Sequence, residues 1–162
     1  MRKHTRRTVR PLHNPYAVAR NQATRLTAAE LDEVMVPIRA AAARMRQGLA
    51  TYDDHAVLDG SLRMAKSIEQ QGIVRGLAGH FADIERTLAA IGARATAASG
   101  RWQSPTLHFQ ELEAIQLLLD LHHYQIKQLS FAEFRRAYDL TVAHIRTART
   151  PLVQLGKGAI AC

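Results

Sequence analysis

The chain has 162 residues, 47% of them hydrophobic, with a formal net charge of +8 and one cysteine, Cys162. A chain of this length buries roughly 70% of its unfolded surface as a single domain, and one cysteine excludes an intrachain disulfide or a thiolate metal cluster. No stretch approaches the ~20 apolar residues of a membrane span, so we expect a cytoplasmic protein without a membrane partner.

The positive charge is concentrated at the two ends of the chain. Residues 1–25 contain seven Arg and Lys and no acid, whereas residues 26–139 contain 12 basic and 14 acidic residues. Residues 140–162 contain three further basic residues and no acid. Basic ends on a slightly acidic body are typical of tails that bind an anionic partner; a segment that only keeps the protein in solution is the alternative.

Residues 1–25 are predicted to form a basic, flexible arm. Pro11 and the pair Asn14-Pro15 interrupt any helical periodicity, and the segment has few large apolar side chains. Residues 26–149 are predicted to form a helical bundle domain, and residues 150–162 a C-terminal tail.

The first two predicted helices begin at recognisable caps. Thr27 and Glu30 have the spacing of a capping box, and Pro37, which lies inside the helical pattern that follows, predicts a bend there or two separate helices. The second helix begins after Thr51, with acidic residues in its first turn, where the helix dipole favours carboxylates. Gly72 is predicted to end it.

The third helix has an apolar seam with steps of four and three residues: Leu77, Phe81, Ile84, Leu88 and Ile91. The fourth begins near Thr106, carries His122 on its seam and has the widest apolar surface, so we expect it to be the central helix. Ser130 and Glu133 form a third capping box ahead of the last helix, whose final turn holds Arg146 and Arg149.

No segment alternates apolar and polar residues with a period of two. The sequence therefore predicts an all-α fold, a compact bundle of about five amphipathic helices with a basic N-terminal arm. The heptad-like seams of the third and fourth helices make a homo-oligomer an additional expectation.

Eight histidines raise the question of a metal site. His108 and His122 share one helix, but fourteen residues at 1.5 Å each separate them by about 21 Å, too far for one ion, and no Glu-x-x-His motif occurs. We interpret His122 as a buried, hydrogen-bonded core residue. No catalytic residue, metal or cofactor is predicted, because nucleophile and phosphate-binding motifs are absent from the sequence, so we expect a protein that is not an enzyme.

The arm is the predicted nucleic-acid-binding segment, because its cations can neutralise phosphates without a fixed secondary structure. A second contact is predicted in the 95–105 loop and the last helix, although Trp102 has the alternative role of covering one end of the bundle. The arm residues are Arg2, Lys3, Arg6, Arg7, Arg10, Arg20 and Arg25, and the secondary ones are Arg101, Trp102, Arg146 and Arg149.

The segment from Met1 to Arg7 (MRKHTRR), continuing through Arg10 and Pro11 to Asn14-Pro15, resembles the start of a group of small phage and prophage proteins of proteobacteria. The resemblance covers about the first fifteen residues. Some of these proteins are described as Fis-family transcriptional regulators, which implies DNA binding. The resemblance implies a phage-borne accessory protein that acts inside a bacterial cell.

Together these features predict a non-enzymatic phage-type accessory or regulatory protein. Its basic arm would bind nucleic acid, DNA foremost, or a nucleoprotein. The alternative is a phage-encoded inhibitor or adaptor that binds a host defence or transcription complex through its helical surface.

Overall fold

The computed structural model describes residues 15–98 and 100–157, with side chains for residues 18–98 and 100–147. The described residues form six α-helices and no strand. They are α1 (Pro15–Ala23), α2 (Ala28–Arg46), α3 (Tyr52–Gln70), α4 (Ala78–Thr96), α5 (Phe109–Gln128) and α6 (Phe131–Lys157). The predicted all-α bundle is confirmed, whereas the predicted count of about five helices is not, since the described residues form six. Among the described residues, no helix has the length and apolarity needed to cross a bilayer.

The additional helix, α1, lies inside the segment predicted to be a flexible arm. Pro15 is its first residue, a position where the missing N–H has no helical partner to lose. α1 packs against α6, the N–H of Phe131 donates to the carbonyl of Thr24 over 2.9 Å, and Arg25 forms an isolated antiparallel bridge with Ser130. The prediction of an arm without helical structure is therefore wrong for residues 15–23, and residues 1–14 lie outside the described residues.

The predicted capping boxes are present at the starts of α2 and α6, and α3 begins after Thr51, as predicted, with a capping box of its own. At the first, the Thr27 hydroxyl accepts from the N–H of Glu30, and the Glu30 carboxylate accepts from the N–H of Thr27. Ser130 and Glu133 pair in the same way ahead of α6. Each box satisfies N–H groups that a helix start leaves without partners.

Helix bounds differ from expectation at three places. α2 is one continuous helix through Pro37, so its division into two pieces is wrong. α5 begins at Phe109, three residues later than predicted. α6 continues to Lys157, past the predicted final turn at Arg149 and into the segment assigned to the tail.

The central helix is α3, not α5 as predicted. α3 packs against α2, α4, α5 and α6, and its seam residues Leu58, Leu62 and Ile68 are buried. The extra leucines of α5, such as Leu117 and Leu121, are only partly buried at the edge of the core. The predicted α4 seam is buried from Phe81 to Ile91 inside the core.

Candidate nucleic-acid interface

Most cations of the bundle are neutralised locally by carboxylates. The ion pairs among the described residues are Arg39–Asp32, Arg44–Asp54, Arg63–Asp59, Lys66–Glu85, Arg86–Asp83, Arg94–Glu111 and Arg135–Asp139. A paired cation contributes little to the attraction of a distant anion, because the opposite charge beside it cancels most of its field. These seven paired cations are therefore poor electrostatic targets for phosphate.

Two of these ion pairs have a buried carboxylate, that of Asp54 or Glu111. The Arg44 guanidinium donates to the buried Asp54 carboxylate and, with Thr51, holds the pKa of Asp54 well below its usual range against the opposing effect of burial. Arg94 forms a bidentate pair with Glu111, over 2.8 and 2.7 Å, and lowers the pKa of Glu111. Arg94 also donates to the Thr106 carbonyl, which ties the loop before α5 to α4.

A different charge pattern occurs where α1, the end of α5 and the start of α6 meet. Arg20, Arg25, Lys127 and Arg136 are exposed there, and none of them forms an ion pair with a described residue. The Arg25–Ser130 bridge and the contact of α1 with α6 bring these elements together. We call these four residues the α1/α6 basic cluster.

The sequence predicted Arg20 and Arg25 as binding residues but missed the other two. Acidic residues alternate with the cations at the start of α6, but Asp139 pairs with Arg135, the neighbour of Arg136. Five predicted arm residues, Arg2, Lys3, Arg6, Arg7 and Arg10, lie outside the described residues.

No described contact joins the residues of the predicted secondary contact to the α1/α6 basic cluster. Arg101 and Arg146 are exposed, and each has an interaction partner of its own. Arg149 belongs to α6, and its side chain lies outside the described ones.

Trp102 covers one end of the bundle, as in its alternative interpretation. Its indole N–H donates to the carbonyl of Ala50 over 2.7 Å, and its ring lies against Tyr52 and His55, with centroid separations of 6.0 and 5.2 Å. The ring is half-buried and packs on the main core.

His122 is buried, as predicted, but its expected hydrogen bond is not formed at Nδ1. Only 1% of the residue is exposed, and Nδ1 has no partner within bonding distance. Burial lowers the pKa of His122 to about 4, with a smaller opposing effect from the Gln125 amide. Within the part of the chain that the structure describes, no three His, Cys, Asp or Glu side chains form a metal-ligand group.

No protein-family model, curated protein or solved structure matches this chain significantly.

Proposed function

We propose that this protein is a non-enzymatic, phage-type accessory protein that binds nucleic acid, DNA foremost, or a nucleoprotein through its basic N-terminal segment. The observation that carries the proposal is the charge distribution: seven cations and no acid in residues 1–25. The α1/α6 basic cluster supports it, because it adds Lys127 and Arg136 beside Arg20 and Arg25 at the end of the bundle where the segment joins. Phosphate contacts of this kind position a protein on the duplex without reading base sequence.

The salt dependence of duplex binding tests this proposal. If Arg2, Lys3, Arg6, Arg7 and Arg10 each neutralise one phosphate, log K falls against log salt with a slope of about −4.5. Replacing Arg6 and Arg7 with Ala should reduce the magnitude of the slope by about 2 and weaken all sequences equally.

A matched control removes the same charge from the body. Arg63→Ala with Arg86→Ala deletes two exposed arginines that are already paired with Asp59 and Asp83, so the slope should remain unchanged. A third variant, Arg25→Ala with Arg136→Ala, reports whether the α1/α6 basic cluster joins the contact. Undetectable binding at low salt overturns the proposal.

A host-protein inhibitor or adaptor is the second candidate. The observation that favours it is the exposure of large apolar side chains along α6, where Phe131, Tyr138 and Leu140 are each more than 40% exposed. Such side chains are enriched where proteins bind other proteins. A stoichiometric protein partner that remains bound in nuclease-treated extract, together with absence of direct duplex binding, supports this candidate over the first.

A further inference from the structure

An apolar groove of about 620 Å³ runs between α6 and the pair α2 and α3. It exists because α6 packs on α3 and α1 without extensive contact with α2, and because Gly60 of α3 has no side chain to fill it. Its volume lies within the range of small-molecule sites. We call it the α6 groove; its apolar lining includes Val34, Ile38, Val57, Met64, Phe134 and Val142.

The buried polar side chains of this lining are Ser61, Thr141 and His122, and each offers a lone pair. The hydroxyl of Ser61 donates to the Val57 carbonyl over 2.7 Å, and that of Thr141 to the Ala137 carbonyl over 2.8 Å, so both hydrogens are used within their own helices. α5 contributes His122, which is neutral at pH 7 because burial lowers its pKa to about 4. A neutral imidazole keeps one acceptor nitrogen.

The Gln125 side chain, which opposes the lowering of the His122 pKa, offers an acceptor for the imidazole N–H in the core. One turn along α5, the buried Oε1 of Gln125 also has no hydrogen-bond partner, while the Gln125 amide nitrogen donates to the Ala65 carbonyl. An imidazole N–H directed to this oxygen leaves the other ring nitrogen as the acceptor. The buried polar groups of the lining therefore present acceptors and no free donor, and a buried acceptor left unsatisfied costs free energy that a ligand donor would recover. The remaining donors of the lining, those of Arg135 and Tyr138, belong to exposed side chains.

The groove has no net charge to select an ion. No acidic side chain lines it, and its one cation, Arg135, is largely exposed at the edge, with Nε 3.3 Å from both carboxylate oxygens of Asp139. A helix of a partner protein would cover the apolar walls, but its apolar side chains would leave the acceptors without hydrogen bonds. A small apolar molecule with one hydrogen-bond donor would contact the apolar walls and also satisfy the acceptors.

We propose that the α6 groove binds a small, neutral, largely apolar molecule that carries one hydroxyl or N–H donor, with the donor directed at the acceptors of Ser61, Thr141 and His122. This site is separate from the nucleic-acid proposal, and it stands whether or not the protein binds DNA.

Calorimetric titration of the full chain at pH 7 with matched probes tests the site. The probes are 4-propylphenol, propylbenzene, which lacks the donor, and 4-propylbenzoate, which replaces the donor with a charge. We expect the phenol to bind about threefold to tenfold more tightly than propylbenzene, the range of one net hydrogen bond, and more tightly than the benzoate.

Two variants and a control locate the effect. His122→Leu should bring the phenol-to-propylbenzene ratio close to one while both still bind, whereas His123→Leu, on the neighbouring residue outside the groove, should leave the ratio unchanged. Gly60→Leu should weaken both probes, because an added side chain there meets open space in the groove. Circular dichroism verifies that each variant is folded.

The proposal is overturned by equal binding of the phenol and propylbenzene, by tighter binding of the benzoate, or by absence of binding of all three. A phenol preference that persists in folded His122→Leu overturns the role of the imidazole. Failure of these titrations leaves the salt-slope experiment on DNA unaffected, so the two proposals fail independently.

Discussion

Asp54 caps α3 and pairs with Arg44, so we expect its removal to lower the stability of the bundle. Its carboxylate is buried and accepts from the N–H of Thr51 over 2.8 Å, from the Thr51 hydroxyl over 3.0 Å and from the Arg44 guanidinium. Loss of a helix cap costs about 1 kcal/mol and loss of a charged hydrogen bond about 1.5 to 3 kcal/mol. Because Arg44 is half exposed and regains water, we expect Asp54→Ala to lower the free energy of unfolding by about 2 to 4 kcal/mol.

The neighbouring Asp53 is the matched control. It occupies the same first turn but is exposed and forms no ion pair, so Asp53→Ala should cost only the dipole contribution, below about 1 kcal/mol. Urea unfolding followed by circular dichroism measures both variants. Equal losses in the two would refute the assignment of the stabilisation to the Asp54 contacts.

The same contacts give a pH dependence with a definite sign. The pKa of Asp54 is lower in the folded chain than in the unfolded chain, where it is about 3.9. Its contribution is therefore complete above about pH 5 and is lost as the pH falls below about 4 toward the folded pKa. The stability difference between the native chain and Asp54→Asn should narrow between pH 5 and pH 2.5.

Three further predictions concern the core and the bundle end. The pKa of His122 is about 4 in the folded chain and about 6.5 in the unfolded chain, so the free energy of unfolding falls by up to about 3 kcal/mol between pH 6.5 and pH 4. In urea titrations, His122→Leu should remove this part of the acid destabilisation. Gly60→Ala should raise stability by about 0.5 to 1 kcal/mol, because the added methyl group meets no atom within 4 Å and alanine favours a helix interior; a lower melting temperature would contradict this. Trp102→Phe should lose the hydrogen bond to Ala50, about 1 kcal/mol in thermal unfolding, and leave DNA affinity unchanged; a large loss of affinity would return Trp102 to the interface.

Local signals in the sequence predicted most of the helices correctly. The cap at Thr27 and the stop at Gly72, which has a φ of +76°, depend on residues within one turn of each other. The α4 seam from Phe81 to Ile91 was found for the same reason, because its period alone identifies the buried face. α1 was missed because nine residues are too few for a periodic signal, and its stability comes from α6, more than a hundred residues away.

The sequence by itself determined the all-α class, the helix caps and the imbalance of charge between residues 1–25 and the body, since each depends on composition or on neighbours along the chain. Tertiary structure alone decided that α3 is central and that Arg44 reaches Asp54. It also decided that α6 stands away from α2 and opens a groove beside His122. These features depend on the angles at which helices pack, and those angles arise from contacts between residues far apart in sequence.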